Sequence, residues 1–258
     1  MRQSLFLKNN FPRGSCCIVP MGFDCEISFK LRAYQKRMES FPLSYALVVD
    51  RSSLIGFVQN PSNLITGSIF EFIYPLQVAS FSALNIGLHY RSNPNDGTAI
   101  GDNEKRQELC SRMTHLIEKY KIAMKEPVPL IFLLKVRSTN FGDDRDFILS
   151  LFQSLQAQRN SSFLLVPIFE SSQTNKRLYK SLKSLGSQGI LPLFVRNFWP
   201  NGLKYRWETK GDFWGWLRIL RKFSKGSFWK YYWTRFNPKP FLKRVGHFLL
   251  RPFRRLSK

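Results

Sequence analysis

Acidic residues are scarce in this chain: 17 aspartates and glutamates face 40 lysines and arginines across 258 residues, a formal net charge of +23. Such a balance predicts attraction to nucleic acid, anionic lipid or acidic polysaccharide without choosing among them. Cysteine is sparse too. Four in a chain of this length make no disulfide framework, and neither adjacent Cys16-Cys17 nor distant Cys110 has the spacing of a zinc site, so a reducing compartment is expected. No stretch approaches the roughly 18 uninterrupted apolar residues of a membrane span. Leu5-Phe6-Leu7, between Arg2 and Lys8, is too short for a secretory signal core. These absences predict a cytoplasmic protein that touches a membrane surface, if at all, without crossing it, and no cofactor or metal is expected. What the chain has in quantity is apolar residues, 43% of the total, enough for a packed core in one substantial domain with an appendage.

The segment from Cys16 to Arg32 organises the rest. A short apolar run meets Gly22 and Cys25, and Ile27, Leu31, Tyr34 and Met38 then recur at the spacing of one helix face, giving strand, turn and helix. Cys25 falls in the first helical turn. Unpaired backbone N–H groups and the positive end of the helix dipole stabilise a thiolate there, which makes Cys25 a candidate nucleophile. The competing reading is a small buried packing residue, the common fate of a free cysteine.

Val19-Pro20-Met21-Gly22-Phe23-Asp24-Cys25-Glu26-Ile27-Ser28-Phe29, followed by Arg37-Met38-Glu39-Ser40-Phe41-Pro42, resembles a bacterial family of unknown function described as papain-like cysteine peptidases. Its members open with a strand, a Leu-Gly-Ser-x-Cys-like turn and a helix, then step into a Pro-Phe-Asp-Trp motif. The resemblance spans roughly residues 15 to 220 and is densest at the first motif. It implies that Cys25 matches the nucleophile and that His89, nearest to the family's His-Asp pair, is the base. Two departures stand out: Ser44 and Tyr45 replace the Asp-Trp of the second motif, and Tyr90 replaces the aspartate after the histidine. Two carboxylates of the family pattern are therefore missing. A third catalytic member is nominated from Asp24 or the Asp143-Asp144 pair, whose competing role is helix capping, and an oxyanion site from the N–H groups at Cys25 and Glu26. The expected activity is a thiol-dependent hydrolase or transferase with an unidentified substrate.

Further along, Leu84 to Tyr90 reads as a strand ending at His89, whereas Leu54 to Gln77 resists assignment. Asp102-Asn103-Glu104 opens a long helix with a buried stripe at Leu109, Met113, Leu116, Tyr120 and Met124. His115 lies off that stripe, solvated, and Cys110 is half-buried. Pro129 to Val136 is nearly continuous in apolar residues, broken by Lys135, as a central strand covered on both faces must be. A helix with an acidic start at Asp143, a strand from Ser162 to Phe169, a helix through Leu178, Leu182 and Leu185 stopping at Gly186, and an edge strand around Pro192 follow. This alternation predicts an α/β fold of three layers, a mostly parallel sheet with helices on both faces. The stretch from Lys210 to Leu220 resembles the Trp-containing helix that closes many members of that family. The expected organisation is a lead-in over 1–14, the α/β domain over 15–220 and a basic aromatic tail over 221–258.

No acidic residue follows Asp212. Lys230, Arg235, Lys243, Arg244, Arg254 and Arg255, interleaved with aromatics such as Trp229 and Trp233, suit an anionic membrane surface or an acidic glycan. Nucleic acid ranks third because no recognition motif accompanies the charge. An alternative to the enzyme follows: a non-catalytic peripheral membrane protein, or an accessory of surface-polysaccharide assembly, the setting that the family resemblance implies. A plainer reading has the aromatics of the tail packing back on the domain.

Overall fold

The computed structural model describes residues 10–12, 14–22, 26–35, 39–48, 50–66, 69–72, 78–81, 83–84, 86–89, 103–136, 141–198 and 212–236. One sheet is wholly parallel, with strands β1 (Cys17–Gly22), β6 (Leu130–Lys135), β7 (Phe163–Glu170) and β8 (Leu193–Val195) side by side in that order. Between β1 and β6 the chain builds α1 (Glu26–Tyr34), β2 (Ala46–Val48), α2 (Arg51–Gln59), β3 (Ile69–Phe72), β4 (Val78–Phe81), β5 (Ile86–His89) and α3 (Asn103–Lys125). The four short strands of this insertion form a second, antiparallel sheet in the order β2-β5-β4-β3. After β6 come α4 (Phe141–Gln158), α5 (Gln173–Lys183), α6 (Phe213–Phe223) and α7 (Phe228–Phe236).

The side-chain alternation of β6 sorts the core into two halves. Leu130, Phe132 and Leu134 join Val19, Met21 and Leu165 in packing against the apolar faces of α2 to α5, including Phe57, Tyr120, Ile148 and Leu182. Ile131 and Leu133 point the other way, into a core with Ile27, Leu31 and Tyr34 of α1, Trp216 and Leu220 of α6, and Tyr231 of α7. This is the three-layer α/β arrangement that the apolar runs predict, with β6 central and β8 at an edge. The parallel character holds for the main sheet, and the second sheet departs from it.

Local details follow from the residues. Asp50, Ser172 and Asp212 cap α2, α5 and α6 by accepting from the N–H of Ser53, Asn175 and Gly215. The run after α5 passes Gly186 and ends at Gly189, whose φ of 103° is the left-handed conformation that suits glycine. His115 is exposed and Cys110 half-buried, as expected from the α3 stripe. The expected cap Asp102 lies outside the described residues.

Arg159 supplies the main polar fastening of the α2 to α5 layer. Its guanidinium is buried and donates to the carbonyls of Ala123 and Met124 at 2.8 and 2.9 Å, and to those of Val128 and Ser162. One planar fork thus satisfies orphan carbonyls at the end of α3 and fixes the turns that lead into β6 and β7. Replacing Arg159 by methionine is expected to lower the unfolding free energy by about 2–4 kcal/mol, because several buried acceptors lose a donor together. Urea denaturation checks this, with Arg159→Lys falling between the two; an unchanged midpoint would mean that water replaces the guanidinium without penalty.

Candidate active site

The parallel strands end together at one edge of the sheet, where β1 hands over to α1. Gly22 pairs with Lys135 and has a φ of 144°, and a Cβ there would meet the Lys135 backbone nitrogen and Cβ at 3.2 Å. Only glycine fits this close approach. The alternation that turns Ile131 and Leu133 toward α1 turns Lys135 the same way. Its ammonium reaches the Glu26 carboxylate in the first turn of α1, Nζ to Oε2 at 2.7 Å, with both side chains fully buried. Lys135 Nζ also lies 4.7 Å from the centre of the Phe198 ring, and Lys30, one turn further along α1, is buried as well. A helix start and a strand end are tied together by an ion pair in a water-poor interior.

Phe23, Asp24 and Cys25, the three residues that join β1 to α1 in the sequence, lie outside the described residues. The nominated nucleophile Cys25 and the nominated Asp24 are therefore not placed. Glu26, named for its backbone N–H, stands in the first turn of α1, where amides have no intrahelical acceptor. His89 closes β5 opposite Val78 of β4. Ala46 pairs with Leu88, so His89 lies toward the start of β2 and the 3-10 turn Pro42–Tyr45, which contacts β1, α1 and β5.

Asp143 is exposed in the first turn of α4, and Asp144 beside it is fully buried and ion-paired with Arg51 of α2. The Arg51 guanidinium in turn lies 5.4 Å from the Phe147 ring centre. Of the two aspartates, one faces solvent and the other fastens α2 to α4. Ser44, where the resembled family has aspartate, is buried, and its hydroxyl accepts from the Phe41 N–H at 2.8 Å to close the 3-10 turn. Tyr90 lies outside the described residues.

The thiols of Cys16 and Cys17 are poorly suited to attack. Burial, then the charge and hydrogen bond of Glu39, push the Cys17 thiol up to about 12, and burial raises Cys16 as well. Among the described residues, no group of three or more histidine, cysteine or acidic side chains is arranged to hold a metal ion.

Of the residues nominated for polyanion contact, Lys230 donates to the carbonyls of Arg32 and Gln35 at the end of α1, and Trp229 is exposed. Trp233 and Arg235 fall in α7, while Lys243, Arg244, Arg254 and Arg255 lie outside the described residues. The Glu26–Lys135 pair was not singled out in the sequence. Its signal is there: a lysine ending an otherwise apolar buried strand needs a partner, and an acidic first turn after the preceding parallel strand is a fitting one. No protein-family model, no curated protein and no solved structure matches the chain.

Lys135→Met removes this partner from a buried carboxylate and is expected to cost about 3–5 kcal/mol of stability. The double variant Glu26→Gln with Lys135→Met is expected to regain most of that loss. A double-mutant cycle by urea denaturation measures it, and additive losses would show that the two groups do not couple.

Proposed function

We propose that this protein is a thiol-dependent hydrolase or transferase in which Cys25 is the nucleophile. The observation that carries the reading is the buried Glu26–Lys135 pair, which fixes the first turn of α1 on the edge of a parallel sheet where the strands end. Ligands of open α/β sheets bind at that edge. Amides of the first helical turn and the helix dipole favour an anion there, which suits both a thiolate before attack and an oxyanion after it.

In this reading the Cys25 sulfur attacks a carbonyl carbon, and His89 takes the thiol proton and returns it to the leaving group. The N–H groups of Cys25 and Glu26 hold the oxyanion. Water or a second nucleophile then resolves the thioester and regenerates the thiol. Ser44 and Asp144 are committed to a turn and to an ion pair, so neither supplies the third member. Asp24 and Asp143 are the acidic candidates that remain.

Site-resolved alkylation with iodoacetamide across pH tests the proposal. Cys25 is expected to react with an inflection well below the value of about 8.5 for a free thiol, and that reaction disappears in Cys25→Ala. His89→Ala is expected to move the inflection upward, because an imidazolium no longer stabilises the thiolate. Cys17 should stay unreacted at neutral pH and supply an internal reference. An ordinary thiol inflection at Cys25 would make it a packing residue and end the proposal.

A further inference from the structure

The solvent side of α6 has an unusual composition. Phe213, Gly215, Trp216, Leu217, Ile219, Leu220 and Phe223 are buried, which leaves Trp214, Arg218, Arg221 and Lys222 facing out. These four recur at steps of four, three and one, so they form a single stripe of one tryptophan and three cations. Asp212, the last acidic residue of the chain, is occupied as the N-cap of α6 and as an acceptor for the Arg196 N–H at 2.6 Å.

α7 extends this surface. Trp214 stacks on Phe228 with ring centres 6.3 Å apart, and Phe228 meets Trp229 at 5.3 Å. Trp214 and Trp229, exposed by 66% and 64%, therefore flank one half-buried phenylalanine. The platform is held rigidly. Tyr231 is fully buried against Tyr34 and Phe213, the Ser227 N–H donates to the Tyr34 carbonyl at 3.1 Å, and Lys230 binds the last carbonyls of α1.

We propose that the α6–α7 face is a docking surface for an anionic lipid bilayer. Two exposed tryptophans at the level of several cations, with no carboxylate in either helix, match the headgroup layer, where indole rings settle and basic side chains meet lipid phosphates. Single-strand binders instead offer a groove and free ring faces for bases. Here Trp214 already has Phe228 stacked on one face. The surface is part of the folded domain and is separate from the thiol chemistry, so Cys25→Ala leaves it intact.

Co-sedimentation of the full chain with vesicles tests the proposal. Binding to phosphatidylcholine vesicles carrying phosphatidylglycerol, and little to phosphatidylcholine alone, is expected, with attachment weakened by salt. Arg218→Glu with Arg221→Glu should reduce the partition coefficient about tenfold or more. Trp214→Ser with Trp229→Ser should reduce it while leaving the thermal transition in place, since both side chains are exposed. Four outcomes would overturn the proposal: equal binding to neutral vesicles; unchanged binding in both double variants; loss of binding in Lys243→Glu with Arg244→Glu but not in the α6 variants; or a single-stranded oligonucleotide, rather than vesicles, bound through the α6 arginines.

Discussion

The arrangement depends on one buried contact between opposite charges. Glu26 and Lys135 are fully enclosed, and removing either ion from water costs several kcal/mol unless the other is held close. That cost makes the pairing a strict geometric condition. It leaves α1 little freedom in where it begins, and Gly22 lets the backbone of β1 pass close enough to β6 for the condition to be met. The other end of α1 is secured differently, by the Ser227 amide and the Lys230 ammonium on its last carbonyls, an arrangement that also complements the helix dipole. A nine-residue helix, too short to be stable alone, is thereby fixed at both ends.

Acidic residues are few, and five of those within the described fold serve as internal fasteners. Glu26 holds Lys135, Asp144 holds Arg51, Asp50 and Asp212 start helices, and Glu170 accepts from the Phe198 N–H. Glu39, Glu108, Glu118, Glu126, Asp143 and Asp146 remain exposed, so the net positive charge follows from the excess of lysines and arginines over carboxylates.

The main sheet was legible because β1, β6 and β7 are long enough to carry a pattern. Leu130 to Leu134 and Leu164 to Phe169 are continuous apolar runs, and the stripe on α3 is regular over many turns. The antiparallel sheet was not legible apart from β5. Its strands have three or four residues, too few to show alternation, and Gly56, Pro61, Gly67 and Pro75 interrupt the surroundings. The stop at Gly189 instead of Gly186 reflects a 3-10 turn that continues α5 without its period. Around the site, sequence order marked the β1–α1 junction but not the partner of Glu26, which lies 109 positions away. Local pattern carries no information about such a pairing. The division between domain and tail at residue 220 has no counterpart in packing at that point, since α6 runs through it and Tyr231 is buried in the same core half as Trp216.

The topology also bears on the order in which the chain assembles. β6, β7 and β8 follow one another with single helical crossovers, so they can associate as soon as they are made, whereas β1 joins only by closing a loop that contains an entire second sheet. Until it does, β6 presents an unpaired edge of six largely apolar residues to its surroundings. Among the described strands, the first in the chain is thus the one that covers this edge of β6, and the long closure it needs leaves a window in which strands from other copies can compete for the same position.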